Sequence, residues 1–334
     1  MNPWNISEQA ARLHQQSLVA DMTMPMVPDG RFSRFFDTLD AMRRSGVKYV
    51  TLTVASDYTS TKEALRNIRL VRLLLLGRLG KVRFVRRVED ITQAAQQGKL
   101  AVGLHFQGTA PVGGDLAMVE KFYQRGIRHM LIAYNAKNLA GYGCHEADDQ
   151  GLTPFGRNLI REMNRVGMLV DVAHTGQRTA LETIEVSEKP VVVSHGNIWA
   201  LHPHVRCVKD ELIKAIAAKG GVIGITGIGI FLGNNDVSTE NYVRNIDYVV
   251  QMVGAEHVGI GLDYVYDMES LIAFARNHPE QYPKEGGYFE EIKQVEYAQL
   301  PQVTEALLKR GYPEQAVRNI LGENWLRVLR QVWK

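Results

Sequence analysis

Long hydrophobic runs are missing from this 334-residue chain. The leucine stretch Leu73–Leu76 is flanked by Arg72 and Arg78, and a bilayer crossing needs about 20 consecutive apolar residues. The opening stretch, MNPWNISEQAARLHQQ, lacks a basic-then-apolar signal pattern, and the closing RVLRQVWK shows no lipid-anchor pattern. The expectation is a soluble, cytoplasmic protein with no membrane partner. Cysteine is scarce: Cys144 and Cys207 are the only two, too few for a disulfide framework and suited to a reducing compartment. Excess charge is missing as well. A net charge of +3, with no basic helix interleaved with aromatics, excludes nucleic acid as a partner. No Pro/Gly/Ser linker, low-complexity tract or repeat divides the chain, so the expectation is one domain over residues 1–334.

What is present is an alternation of short apolar runs and amphipathic segments. Apolar residues make up 45% of the chain and charged residues 22%, enough for a sizeable core. Eight runs read as buried parallel strands: Ser17–Asp21, Lys48–Thr53, Leu100–Phe106, Arg128–Ala133, Met168–Ala173, Pro190–Ser194, Val222–Thr226 and His257–Leu262. Val82–Val88 reads as an added edge strand. Helical segments lie between them, among them 36–45, 61–78 and 240–253. Eight strands alternating with helices predict an α/β fold of the (β/α)8 TIM-barrel type. Helices over 302–310 and 313–333 then form a C-terminal helical extension. The stretch from Asp263 to Gln299 reads as a long loop on the catalytic face, a lid or a partner surface.

The most informative stretch is GLTPFGRNLIREMNRVGMLVDVAHTG, Gly151–Gly176. Thr153 caps a helix, Pro154 starts it and Gly167 stops it. A buried strand follows and ends on His174. The next strand ends on His195. In an α/β barrel, the carboxyl ends of strands form the active-site mouth. Two imidazoles on adjacent strand ends can share a zinc ion. The remaining strand ends contribute Asp21, Thr23, Gln107, Tyr134 and Asp263. Carboxylates and histidines converging on one mouth describe a hydrolytic metal site, with Asp263 as the catalytic proton carrier.

These stretches, together with VVVSHGN, HPHVRCVKDELIKAIAAKGGVIGI, HVGIGLDY and LGENWLRVLRQ, resemble the membrane (renal) dipeptidase family of zinc barrels. The resemblance covers most of the chain from about residue 100 onward. It implies that His174 and His195 ligate metal, that Asp263 is catalytic and that Arg206 grips a substrate carboxylate. It also implies a homodimer and a dipeptide-like small-molecule substrate. The first half departs from the family. Where a histidine–any–aspartate pair is expected, the chain reads Asp21 and Thr23. Gln107 stands for a bridging glutamate, and Tyr134 for a carbonyl-polarising histidine. Glutamine and threonine are poor zinc ligands, so one zinc ion is expected rather than two.

Zinc in a catalytic site takes three protein ligands. Asp21 is expected to join the two histidines, helped by Cys144 or Glu146 from the loop GYGCHEADD. Gln107 and Tyr134 are then expected to bind substrate. His202 and His204 are expected to shape the loop that presents Arg206. The reading is a zinc-dependent, dipeptidase-like hydrolase. The alternatives are a non-peptide amide or lactone hydrolase, and an inactive relative that only binds.

Overall fold

The computed structural model describes residues 2–27 and 30–334. Nine strands alternate with helices. They are β1 (Val19–Pro25), β2 (Val47–Ser56), β3 (Val82–Phe84), β4 (Leu100–Gln107), β5 (Ile127–Leu131), β6 (Leu169–Asp171), β7 (Val191–Gly196), β8 (Ile223–Ile225) and β9 (Val258–Ile260). Among the described residues, every pairing between these strands is parallel. β2 bonds to both β1 and β4, and the ring runs on through β5 to β9. It closes where Asp21 of β1 registers with Ile260 of β9. β3 stays outside the ring, paired with the start of β4. The result is the closed (β/α)8 barrel expected from the strand runs.

Local chemistry explains the helix that leads into β6. It spans Pro154–Val166; the Thr153 hydroxyl accepts from the Gly156 amide, and Gly167 ends it at φ 89°. Leu159, Ile160 and Met163 recur on one face and are fully buried against the sheet. The strands are buried on both faces, as a barrel wall requires.

The amino ends of the strands are closed from below by the helix Asn324–Val332. Trp325 is fully buried there, packed with Ala20, Tyr49, Ala101 and Val192. Its indole N–H donates to the Ile260 carbonyl at 3.1 Å. Gly259 leaves room for the ring, since a Cβ there would press into the indole.

Three element expectations need correction. The helix placed at 36–45 spans Phe32–Arg44. Its start is set by a distant residue: Asp267 binds the Arg31 amide and guanidinium at 3.1 and 2.8 Å. The helix expected over 313–333 is broken at Gly322, where a Cβ would overlap the Leu18 carbonyl oxygen. The stretch after Asp263 is not all loop; it carries the helix Met268–Arg276 and folds back over the mouth. Among the described residues, no helix is long and apolar enough to cross a membrane.

Candidate metal centre

His174 and Asp263 leave their strands through left-handed backbone, at φ 61° and 57°. Such conformations are costly for residues other than glycine and persist where neighbours hold them. Here the Asp171 carboxylate accepts from the Ala173 and Ser194 amides at 2.9 and 3.0 Å. The Asp263 amide donates to the Thr23 carbonyl at 3.1 Å. The turns thus aim both side chains inward. Among the described residues, His174, His195 and Asp263 form the one group of three potential ligands whose donor atoms lie within 4.8 Å of one another.

The protonation of each ring follows from its neighbours. Asn135 donates its amide N–H to the Gln281 carbonyl at 2.7 Å, which turns its oxygen toward His174 Nδ1, 2.6 Å away. His174 therefore carries its proton on Nδ1. His195 Nδ1 meets the Ser194 hydroxyl at 2.8 Å and the Thr23 hydroxyl at 3.2 Å. The Thr23 hydroxyl donates to the Met22 carbonyl at 2.6 Å, so toward the ring it accepts, and Nδ1 carries the proton. Both Nε2 atoms are left with lone pairs, and they face each other at 2.9 Å. Two lone pairs at that distance repel unless a cation lies between them. Burial and the Arg206 charge hold both imidazoles well below the usual histidine range, which disfavours a proton in that place. The donor set therefore fits a metal ion, with each ring oriented through its second nitrogen as metal-binding histidines are. Asp263 Oδ2 lies 4.0 Å from His195 Nε2. Burial pushes Asp263 up to about 7, against the pull of Arg206.

Gln107 is set by a second relay from the same carbonyl. The Thr51 hydroxyl donates to the Met22 carbonyl at 2.5 Å, so it accepts from His105 Nδ1 at 3.0 Å. His105 Nε2, kept unprotonated by burial, accepts from the Thr53 hydroxyl at 2.8 Å. Thr53 in turn accepts from the Gln107 amide nitrogen at 3.0 Å. The Gln107 amide also lies near enough to Asp263 to favour its ionised form. The Met22 carbonyl thereby fixes Thr23 as an acceptor toward His195, beside Ser194, and through Thr51, His105 and Thr53 it sets the orientation of the glutamine.

The other expected site residues are placed as follows. Asp21 is not brought in as a ligand. One oxygen accepts from the Thr23 and Leu262 amides at 3.2 and 2.9 Å, and the other from the Tyr297 hydroxyl at 2.7 Å. Cys144 sits beside the site, but its thiol points to Asn135 Oδ1 at 3.6 Å and burial pushes it up to about 11. Glu146 is drawn away by the Lys137 amide at 2.7 Å. Tyr134 stacks on His174, centroids 4.1 Å apart, and shares a hydrogen bond with Tyr282 at 3.0 Å. Arg206 is 4% exposed, and its Nε and Nη2 lack partners. His204 Nδ1 accepts from the Arg206 amide at 3.1 Å and so shapes that loop.

Sequence reasoning passed over Asn135, Asp57, Thr53 and His105. Asp57 holds the Ala110 and Tyr134 amides at 2.9 and 2.8 Å. It follows β2 directly, so the strand-end rule that singled out Asp263 also points to it.

Comparison with known proteins places this geometry. The membrane dipeptidase (peptidase family M19) profile matches residues 38–284. The dipeptidase tcpJ of Claviceps purpurea is 28% identical over 283 residues, 83% of this chain. The chain spans 62% of the length of that curated relative. A crystal structure of an amidohydrolase from Pseudomonas aeruginosa superimposes with a TM-score of 0.87 at 34% identity, covering 97% of this chain and 99% of the other. A metallopeptidase from Rhodobacter sphaeroides, solved with a phosphinate mimic of the dipeptide L-Ala-D-Ala, shares the fold at a TM-score of 0.77 and 18% identity, over 95% of this chain and 100% of the other.

Proposed function

The chain belongs to the membrane dipeptidase family, peptidase family M19, and from that membership we propose a zinc-dependent hydrolase of a dipeptide or related small amide, working with one ion. The observation that carries this reading is the pair of Nε2 lone pairs facing each other at 2.9 Å with Asp263 at hand. His174 and His195 would hold the ion, with Asp263 as the nearest anionic group. When bound, zinc supplies Lewis acidity toward the substrate carbonyl and lowers the pKa of the attacking water.

This chain's own residues do the rest. Asp263 accepts the proton of the attacking water and passes it to the leaving amine, a role suited to a carboxylate pushed up to about 7 by burial. The Gln107 N–H steadies the ionised form of Asp263. Arg206 offers its unpartnered N–H groups to a substrate carboxylate. Tyr134, stacked on His174, and its neighbour Tyr282 keep bulk water off the ring. Thr23 and Gln107 stand where a second ion's ligands would be expected, which supports one ion. The naming of the Claviceps relative as a dipeptidase supports the substrate class. By resemblance to the family alone, we also propose a homodimer, which size-exclusion with light scattering tests.

Metal analysis combined with a dipeptide panel tests the proposal. About one zinc per chain, with hydrolysis lost on chelation and restored by zinc, is expected. Two tightly held ions would overturn the single-ion site. A protein that takes up no metal from zinc solution would end the hydrolase reading.

A further inference from the structure

Two cavities meet at His174. One, of about 290 Å³, is bordered by Arg206, Lys209, Trp199 and Cys144. Its two carboxylates are already engaged. Glu146 binds the Lys137 amide, and Asp149 binds the Thr179 amide and hydroxyl. The open charges on that side are both positive, the buried Arg206 guanidinium and the Lys209 ammonium over Trp199. The other cavity, of about 70 Å³, lies over Asp263 and Gln107. Its walls are apolar and aromatic, including Tyr58, Tyr282, Ile230, Val265 and Leu271. Asp263 is the sole carboxylate among the described residues that line it.

From this distribution we infer that the acyl half of the substrate is uncharged: the enzyme takes a small N-acyl amino acid in preference to a dipeptide with a free amino group. The inference rests on the reading of the site as an amide hydrolase. A carboxylate on the leaving half meets Arg206, so the scissile amide sits at His174 and the acyl half enters the small cavity. A free ammonium there would need anionic acceptors. Asp263 is committed to proton transfer in the reaction. Gln107 is neutral, and the relay from Met22 through Thr51, His105 and Thr53 ties its amide nitrogen to Thr53, so it offers an ammonium one uncharged oxygen and no countercharge. An ammonium would also face the guanidinium and the ion. A small acyl chain meets none of these costs and covers the apolar walls. In the reaction, the oxygen of water ends on the acyl carbon, the C–N bond breaks, and both protons of the water end on the leaving amine, giving a carboxylate and an ammonium.

The test uses N-propionyl-alanine and alanyl-alanine, which differ by little more than the amino group, each with both configurations of the leaving alanine. Rates are compared with zinc-loaded protein, and binding is measured by calorimetry wherever no turnover occurs. Propionyl-alanine is expected to be favoured about tenfold or more, the scale on which sites reject a polar group they cannot pair. The Leu271→Asp variant, which adds a carboxylate to the small cavity at a position that is no metal ligand, is expected to narrow or reverse that ratio. Equal or better use of alanyl-alanine by the unaltered protein overturns the inference, and so does a ratio that Leu271→Asp leaves unchanged. Preferential binding of propionyl-alanine without cleavage of either compound would sink the hydrolase reading and leave the recognition argument standing. Cleavage of both at equal rates would do the reverse.

Discussion

Asn135→Ala is expected to weaken zinc binding without removing a single ligand. Asn135 Oδ1 is the partner of His174 Nδ1 at 2.6 Å. Without it, the ring N–H is buried and unpaired, and nothing prevents the ring from turning its other nitrogen to the metal. Partners of this kind are worth about tenfold to a hundredfold in metal affinity, or roughly 1.4 to 2.7 kcal/mol. Asn135 also donates to the Gln281 carbonyl at 2.7 Å, a tie to the segment over the mouth worth about 1 kcal/mol. Asn135→Asp separates the two effects, since it keeps an acceptor for His174 and loses the donor to Gln281. Competition against a chelator of known affinity reads the first effect, and urea unfolding of the metal-free protein reads the second. The Ala variant should lose at least tenfold in zinc affinity, whereas the Asp variant should hold or exceed the original value. Zinc affinity within twofold of the unaltered protein in the Ala variant, or equal losses in both variants, would refute the orienting role.

Asp263→Asn should leave zinc bound and cut turnover by about 10²-fold or more; asparagine tolerates the φ of 57°, so full turnover with zinc bound would remove Asp263 from proton transfer. Arg206→Lys should mainly raise KM for substrates with a free carboxylate, because the two-pronged grip is lost; an unchanged KM would take Arg206 out of the site. His14 supplies a test of stability against pH. It is fully buried between Thr304 and the Ser45 carbonyl, and burial lowers it from the usual 6.5 to about 4. The unfolded chain binds a proton below pH 6.5 while the folded chain does not, so stability present at pH 7 falls as the pH drops toward 4. The loss is about 2 kcal/mol at pH 5. The stability gap between the protein and His14→Gln should therefore shrink between pH 7 and pH 5, and a constant gap in urea unfolding would contradict the assignment.

The barrel was legible because its signals are local. Runs such as Val191–Val193 are short, β-branched and apolar throughout and sit between helix stops, which marks them as buried strands. The same locality singled out His174, His195 and Asp263 at strand ends, and the structure brings these three together. What stayed hidden depends on residues far apart in the chain. Asp21 looked like a ligand until Tyr297, 276 positions later, took its second oxygen. Arg31 starts its helix through Asp267, 236 positions away. Neither partner leaves a mark near the residue it controls. The relay through His105 was hidden for another reason. Within LAVGLHFQ the histidine reads as part of an apolar strand, and only the threonines of the neighbouring β2 make it polar.

The placement of Trp325 bears on how the protein is made. Residues 324–332 floor a barrel whose walls begin at Val19, so the walls leave the ribosome long before the floor does. Until then Ala20, Tyr49, Ala101 and Val192 have no cover. A nascent chain halted before residue 324 carries an open apolar basin at the base of nearly finished walls, the kind of surface that chaperones hold and that aggregates when they do not. The indole arrives last, and its bond to the Ile260 carbonyl fastens the strand that closes the ring back onto Asp21. Completion of the barrel is in this way tied to a single side chain that is made after every strand it serves.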